Sequence, residues 1–156
     1  MSDAVAVVVT ASPPVFVVVT QDTASVVESI SQGPPGPPGS GSLAVTSGQT
    51  LSGHRIVAAN SAGLAIYADK DTPATWQHIL GLTTGASNNG DVATILPAGE
   101  IAEPSWNLNP GLPVYLGNTG LLIQTLPTTG AILQIGVALS ATRLLVDLKI
   151  PIILGG

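Results

Sequence analysis

Glycine and proline interrupt this chain so often that a bundle of long helices is excluded. There are 18 glycines and 13 prolines among 156 residues, and both residue types occupy turns and break helices. Between turn pairs such as Ser52-Gly53, Asn89-Gly90 and Pro110-Gly111 the segments are short and apolar. Closely spaced short strands are typical of a β-sandwich or barrel. We predict an all-β fold, with at most one or two helical turns near 74–80, after Thr72-Pro73.

Composition divides the chain into three zones. Residues 1–32 contain two valine-rich runs, 4–10 and 15–20, and we predict a strand for each because Val and Thr are β-branched. A two-stranded ribbon is marginal alone in water. This N-terminal β-rich arm is therefore expected to lie against copies of itself or against another protein. Residues 33–42 are a Gly/Pro linker, and residues 43–156 form the C-terminal β-domain, a small sandwich or barrel.

The linker repeats glycine at every third position, at Gly33, Gly36 and Gly39, with proline pairs between. This is the collagen pattern, in which only glycine fits at the axis of three polyproline-II chains. Two repeats are too few to hold a triple helix unaided. A semi-rigid proline linker ending in a Gly/Ser hinge remains an equal alternative, and trimerisation by the flanking parts would favour the three-chain interpretation.

The charge and cysteine content exclude several classes of function. Only 8% of residues are charged, against about 25% in a typical domain. The four basic residues, Arg55, Lys70, Arg143 and Lys149, are scattered, so no basic patch for nucleic acid is present. The absence of cysteine excludes disulfides, thiolate catalysis and cysteine-bound metals. No apolar run approaches the roughly 18 residues of a membrane-spanning helix, and no basic region of a secretory signal precedes the first valine run.

The residues able to carry chemistry form no recognisable catalytic or metal-binding motif. His54 and His78 lie far apart in sequence, and we expect both at strand or turn edges with ordinary hydrogen bonds. Asp69 and Asp71 resemble a fragment of a calcium loop but lack its glycine and glutamate, so a solvated loop is expected. We predict no enzyme activity, no metal and no cofactor.

Two further groups leave an alternative open. Glu100 and Glu103 are two nearby carboxylates, as a glycosidase requires. The sequence lacks the aromatic platforms of sugar enzymes, so we expect the two glutamates to keep a turn soluble. The four aromatic residues that stand outside the arm suit a sugar-stacking surface or an interface, although packing in the core or between subunits is the favoured interpretation. They are Tyr67, Trp76, Trp106 and Tyr115.

Several segments of the C-terminal domain resemble a β-domain of tailed-bacteriophage structural proteins, including head-fibre and capsid-decoration proteins. The resemblance extends over about residues 7–154 and consists of a succession of strands and glycine turns. The segments that carry it are 51–55 (LSGHR), 63–69 (GLAIYAD), 79–85 (ILGLTTG), 99–101 (GEI) with Ser105-Trp106, 111–117 (GLPVYLG), 120–127 (GLLIQTLP) and 135–142 (IGVALSAT).

The resemblance implies a homotrimeric, non-enzymatic protein on the virion surface, made in the host cytoplasm. Its arm would anchor it to the major capsid protein or to another virion structural protein, without nucleic-acid or membrane partners. The alternative is a tail-fibre or tail-tip component that binds a host receptor or glycan. A third hypothesis, an enzyme that acts on cell-wall sugar, depends on Glu100 and Glu103 alone. The predicted anchoring residues are Val7, Val8, Val9, Val15, Phe16, Val17, Val18 and Val19.

Overall fold

The computed structural model describes the backbone of three N-terminal strands, Ala4–Val9, Val15–Thr20 and Val26–Ile30, and residues 41–155 in full. The chain forms two units, 1–39 and 40–156. The linker glycines Gly33, Gly36 and Gly39 lie outside the described residues, so the collagen-like linker stays a prediction.

The N-terminal strands β1 (Ala4–Val9), β2 (Val15–Thr20) and β3 (Val26–Ile30) form one antiparallel sheet in the order β1-β2-β3. The two strands predicted from the valine runs are present. The expectation of a two-stranded ribbon is wrong, because β3 pairs with the whole of β2 except Thr20. This third strand was missed because Glu28 and Ser29 interrupt its apolar pattern, although Val26, Val27 and Ile30 are β-branched.

Twelve short strands follow in residues 41–155, and the all-β prediction is confirmed. The named strand pairs of these residues are antiparallel, both where the two strands are consecutive, as in β13-β14, and where they are distant in sequence, as in β4-β8. The strands are β4 (Leu43–Thr46), β5 (Ile56–Ala59), β6 (Ala65–Tyr67), β7 (Ile79–Thr83), β8 (Val92–Leu96), β9 (Ala98–Ala102), β10 (Pro113–Leu116), β11 (Leu122–Ile123), β12 (Ala131–Ile132), β13 (Gln134–Ser140), β14 (Arg143–Asp147) and β15 (Ile152–Ile153).

A single helical turn, α1 (Pro73–Trp76), interrupts the strands. Thr72 is its N-cap residue and Pro73 its first residue, as the sequence predicts. The Thr75 hydroxyl donates a hydrogen bond to the Thr72 carbonyl at 2.8 Å. The helix does not continue toward residue 80, because Ile79 already belongs to β7 and pairs with β5.

The first sheet of the domain curves until its two edges meet. Its strand order is β4-β8-β7-β5-β6. Ser47, directly after β4, forms a bridge to Ala65 at the start of β6, and the Gly48 amide donates to the Ala65 carbonyl at 2.8 Å. The result is a small barrel-like sheet whose interior is filled by five buried residues: Leu51, Val57, Ala65, Ala93 and Ile95.

The second sheet, in the order β11-β10-β13-β14-β9, shares a larger core with the first. Along β5 successive residues contribute to different cores, as the two-residue period of a strand requires: Val57 belongs to the barrel interior, whereas Ile56 and Ala58 belong to the shared core. The shared core also receives Val114 and Leu116 from β10. Strands β12 and β15 form a separate antiparallel pair.

Candidate functional site: the arm sheet and the Trp106 groove

The predicted anchoring residues all lie in the first two strands of the arm sheet. Residues 7–9 belong to β1, an edge strand, and residues 15–19 to β2, the central strand. The register pairs Val7 with Val17, Val8 with Phe16 and Val9 with Val15. The structure therefore brings these residues into one sheet, while their role in anchoring stays a prediction.

Both faces of the arm sheet carry apolar residues according to this register. Since alternate residues of a strand belong to opposite faces, Val15, Val17 and Val19 share one face, and Phe16 and Val18 belong to the other. Among the residues paired with β2, Glu28 of β3 is the acidic one, and its partner is Val17.

In the C-terminal domain, a groove of about 480 Å³ lies between the loop before β5 and the loop after β9. Its volume falls within the roughly 300–1,000 Å³ of small-molecule sites. Polar residues line part of it: His54, Arg55, Glu103, Ser105, Asn107 and Gln124. Apolar residues line the rest: Trp106, Leu108, Leu121 and Leu122. We call this feature the Trp106 groove.

The Glu103 carboxylate is held by two neighbours in the Trp106 groove. Its Oε1 accepts a hydrogen bond from the Ser105 backbone N–H at 3.0 Å, and its Oε2 lies 3.3 Å from Nδ1 of His54. The bonds from Ser105, with His54 contributing less, lower the pKa of Glu103 below its usual value. The His54 ring packs edge-on against Trp106, with ring centroids 5.5 Å apart.

Left-handed backbone occurs at both sides of this groove. Among the described residues, the non-glycine residues with positive φ are His54, at 59°, and Thr119, at 49°. Such conformations are uncommon and cluster at functional sites. A hydrogen bond of 3.1 Å from Arg55 Nη1 to the Thr119 carbonyl connects the two loops.

The loop that contains Thr119 is fixed by its contacts with Asp69 and β5. The Thr119 amide donates to Asp69 Oδ2 at 3.0 Å. At Gly120 the φ is +71°, and a Cβ atom would overlap the Ile56 carbonyl oxygen. Only glycine therefore allows this loop to approach β5 so closely.

Asp69 and Asp71 lie in a solvent-accessible loop, as the sequence predicts, and the structure adds that their carboxylates are hydrogen-bonded. Both accept hydrogen bonds from the Asn118 side-chain amide, and Asp71 also accepts from Lys70 Nζ. The bonds from Lys70 and Asn118 lower the pKa of Asp71. Asp71 also accepts a hydrogen bond from the Thr129 hydroxyl, so the cluster joins the loops that contain Asp71, Asn118 and Thr129. Within residues 41–155, no group of three or more His, Cys, Asp or Glu residues could hold a metal ion.

Glu100 and Glu103, the carboxylates of the hypothetical glycosidase pair, have different partners in the structure. Glu100 lies in β9 and forms an ion pair with Arg143 of β14, with Oε1 2.5 Å from Nη2. Glu103, after β9, faces His54 instead. Of the two carboxylates, Glu103 lines the Trp106 groove and Glu100 does not.

The aromatic residues divide between packing and the groove. Trp76 is buried in the shared core, and the Tyr67 hydroxyl accepts a hydrogen bond from the Ser52 amide, which agrees with a packing role. Trp106 is only half-buried and lines the groove. Sequence analysis missed the groove because His54 and Glu103 come from distant loops, although Glu103, Ser105 and Trp106 already formed a local signal.

No protein-family model matches the chain, and no curated protein matches it significantly. Among the described residues, no helix has the length and apolar character to cross a bilayer.

Proposed function

We propose that this protein is a structural component of a bacteriophage virion, a capsid-decoration or head-fibre protein anchored to the coat protein by its N-terminal arm. It acts as a homotrimer on the virion surface, without enzymatic activity, cofactor, nucleic acid or membrane. The support comes from the resemblance of the domain to phage structural proteins and from the form of the arm sheet.

The arm sheet carries the proposal. It is a separate unit of three short strands with apolar residues on both faces, and a sheet this thin gains stability from a covering surface. Its edge strands, β1 and β3, offer main-chain groups to which a partner strand can add. A coat-protein surface would supply both the cover and the pairing.

Association into trimers is supported by exposed aliphatic residues near the C-terminus. Ile150 is 88% exposed, and Ile152 and Ile153 of β15 are 63% and 66% exposed. Leu126 is exposed as well, and it lines one cavity with Ile150 and Ile152. A cluster of this kind marks an interaction surface, and three linked arms would bind a particle more tightly than one arm because each raises the effective concentration of the others.

The absence of a nucleic-acid partner is supported by the pairing of the few basic residues. Lys70, Arg143 and Lys149 form ion pairs with Asp71, Glu100 and Asp147 respectively. The fourth basic residue, Arg55, bonds to a carbonyl and lies 5.9 Å from the Tyr67 ring centroid. Little unpaired positive charge remains for a phosphate backbone.

The anchoring proposal is tested by replacing Val17 and Val19 with Asp and counting copies per particle by quantitative mass spectrometry. A covered carboxylate without a partner costs several kcal/mol, and each chain of the trimer repeats this cost. We expect the Asp variant to be lost from particles while the domain keeps its melting temperature. The matched variant with Val17→Ile and Val19→Ile should load normally. Normal loading of the Asp variant would disprove anchoring through β2.

The trimer proposal is tested by light scattering on Ile152→Asp, with Leu112→Asp as the control. Leu112 is also an exposed aliphatic residue, at 46%, but it lies in the loop before β10. We expect three chains in the wild type and in the control, and single chains in Ile152→Asp. A trimer that survives Ile152→Asp would assign association to another surface, and a monomeric wild type would disprove the homotrimer.

The second candidate function, a tail-fibre or tail-tip protein that recognises a host surface, is favoured by the Trp106 groove. Cryo-electron microscopy of the particle distinguishes the two candidates by location and copy number. Many copies on the capsid support decoration. A few copies at the tail, together with loss of host adsorption in particles without the protein, support the second candidate.

A further inference from the structure

We infer that the Trp106 groove is a binding site for a neutral saccharide, which it holds without cleaving. This inference is independent of the proposed function, because a saccharide site is compatible with a protein on the capsid or on the tail.

The apolar side of the groove suits the carbon face of a sugar ring. Trp106 is half-buried and lines the groove beside Leu121 and Leu122. An indole presents a large flat surface with little loss of conformational freedom on binding. The His54 ring lies nearly perpendicular to the indole ring, at 79°, and supports it on one side.

The polar side offers hydrogen-bond groups of fixed orientation. A carboxylate has about four acceptor positions, and Glu103 uses Oε1 for the Ser105 amide, with Oε2 facing His54, so acceptor positions remain for sugar hydroxyls. The Gln124 amide is held by two bonds to the backbone of Asn109, at 2.8 and 3.0 Å. Each half of that amide has capacity for a second bond. Donors and acceptors in fixed positions match a polyol, whose hydroxyls act as both.

The charge of the groove argues for a neutral ligand. The groove lining holds one carboxylate, Glu103, and one guanidinium, Arg55, whose opposite charges leave no excess that would attract an anion or a cation. The Arg55 guanidinium, the permanent cation of the groove, already donates to the Thr119 carbonyl. Hydrolysis would need a second carboxylate across the groove, and Glu103 is the single carboxylate among the residues that line it.

The groove is preorganised, which lowers the entropic cost of binding. The left-handed residues His54 and Thr119 are held by their contacts to Glu103 and Asp69 respectively. These contacts fix the loops on both sides of Trp106 before any ligand arrives.

The test is a titration of the full-length protein with three trisaccharides, of glucose, of galactose and of N-acetylglucosamine, followed by amide NMR shifts and tryptophan fluorescence. We expect at least one trisaccharide to bind, with shifts confined to residues 53–55, 103–108 and 121–124. Glu103→Gln and Trp106→Ala should each weaken binding at least tenfold. Glu100→Gln, which removes a carboxylate of β9 outside the groove, should bind as the wild type does.

Trp106 also packs against the shared core, so Trp106→Ala is interpreted only if its melting temperature shows that it is folded. His54→Asn provides a second variant, because Asn tolerates the left-handed backbone. It should weaken binding without unfolding the domain. Failure of all three trisaccharides to shift the groove residues, or shifts that map to another surface, would overturn the inference. So would equal binding by Glu103→Gln, or a preference for an unrelated peptide included as a further probe.

Discussion

The two units of this chain differ in how the order of their strands follows the sequence. In the arm sheet, three short strands rich in valine lie in simple sequence order, β1-β2-β3. In residues 41–155, two five-stranded sheets have non-consecutive strand orders, bury two clusters, and leave polar loops at the Trp106 groove. The difference shows that valine runs suffice to form strands, whereas a core and a site require strands that are distant in sequence to meet.

The largest expected contrast between the units is in amide hydrogen exchange of the isolated protein. The arm sheet has only three short strands, so its amides should exchange through frequent local opening. The amides of β13 and β14 should exchange orders of magnitude more slowly. Strong protection of residues 4–20 in a monodisperse monomer would show that the arm is stable alone.

Within the domain, Gly136→Ala should be the most damaging small substitution. A Cβ atom at Gly136 would overlap the Leu145 carbonyl oxygen of β14, so the pairing of β13 with β14 must open. We expect a loss of about 3 kcal/mol or more in the free energy of unfolding, measured by urea denaturation. Gly85→Ala is the matched control, since nothing lies within 4 Å of a Cβ there. Equal stability of the two variants would contradict the close packing of this pair.

Two adjacent leucines of β14 test the period of the strand. Leu144 is fully buried, whereas Leu145 is 40% exposed. Leu144→Ala should cost about 2–5 kcal/mol of unfolding free energy, and Leu145→Ala less than about 1 kcal/mol. Similar losses in both variants would mean that β14 is covered on both faces in solution, for example by a second chain.

The smallest expected effect is a dependence of stability on pH. The folded pKa values of Asp71 and Glu103 lie below their usual values of 3.8 and 4.5. The native state therefore binds these protons more weakly than the unfolded chain does. The stability that they contribute is complete above the usual values and is lost as the pH falls through the lower folded values. Melting temperatures measured from pH 6 downward should fall less steeply in Asp71→Asn than in the wild type, and an identical slope would contradict a role for the Lys70 and Asn118 bonds.

The parts that could be predicted from the sequence are those determined by local chemistry. The valine runs predicted β1 and β2, and Thr72-Pro73 predicted the start of α1. The closure of the first sheet between Ser47 and Ala65 could not be predicted, because it joins strands through main-chain groups that every residue possesses. The Trp106 groove was missed for a related reason. His54 and Glu103 are far apart in sequence, and only the fold brings their side chains together.

Closure of the first sheet has a consequence for crowding. Where Ser47 bridges to Ala65, the main-chain groups of both edges already have partners, so a strand of a neighbouring copy cannot pair at that point. Strand pairing between two copies of the chain would then use other edge strands, such as β9 and β11 of the second sheet or those of the arm sheet.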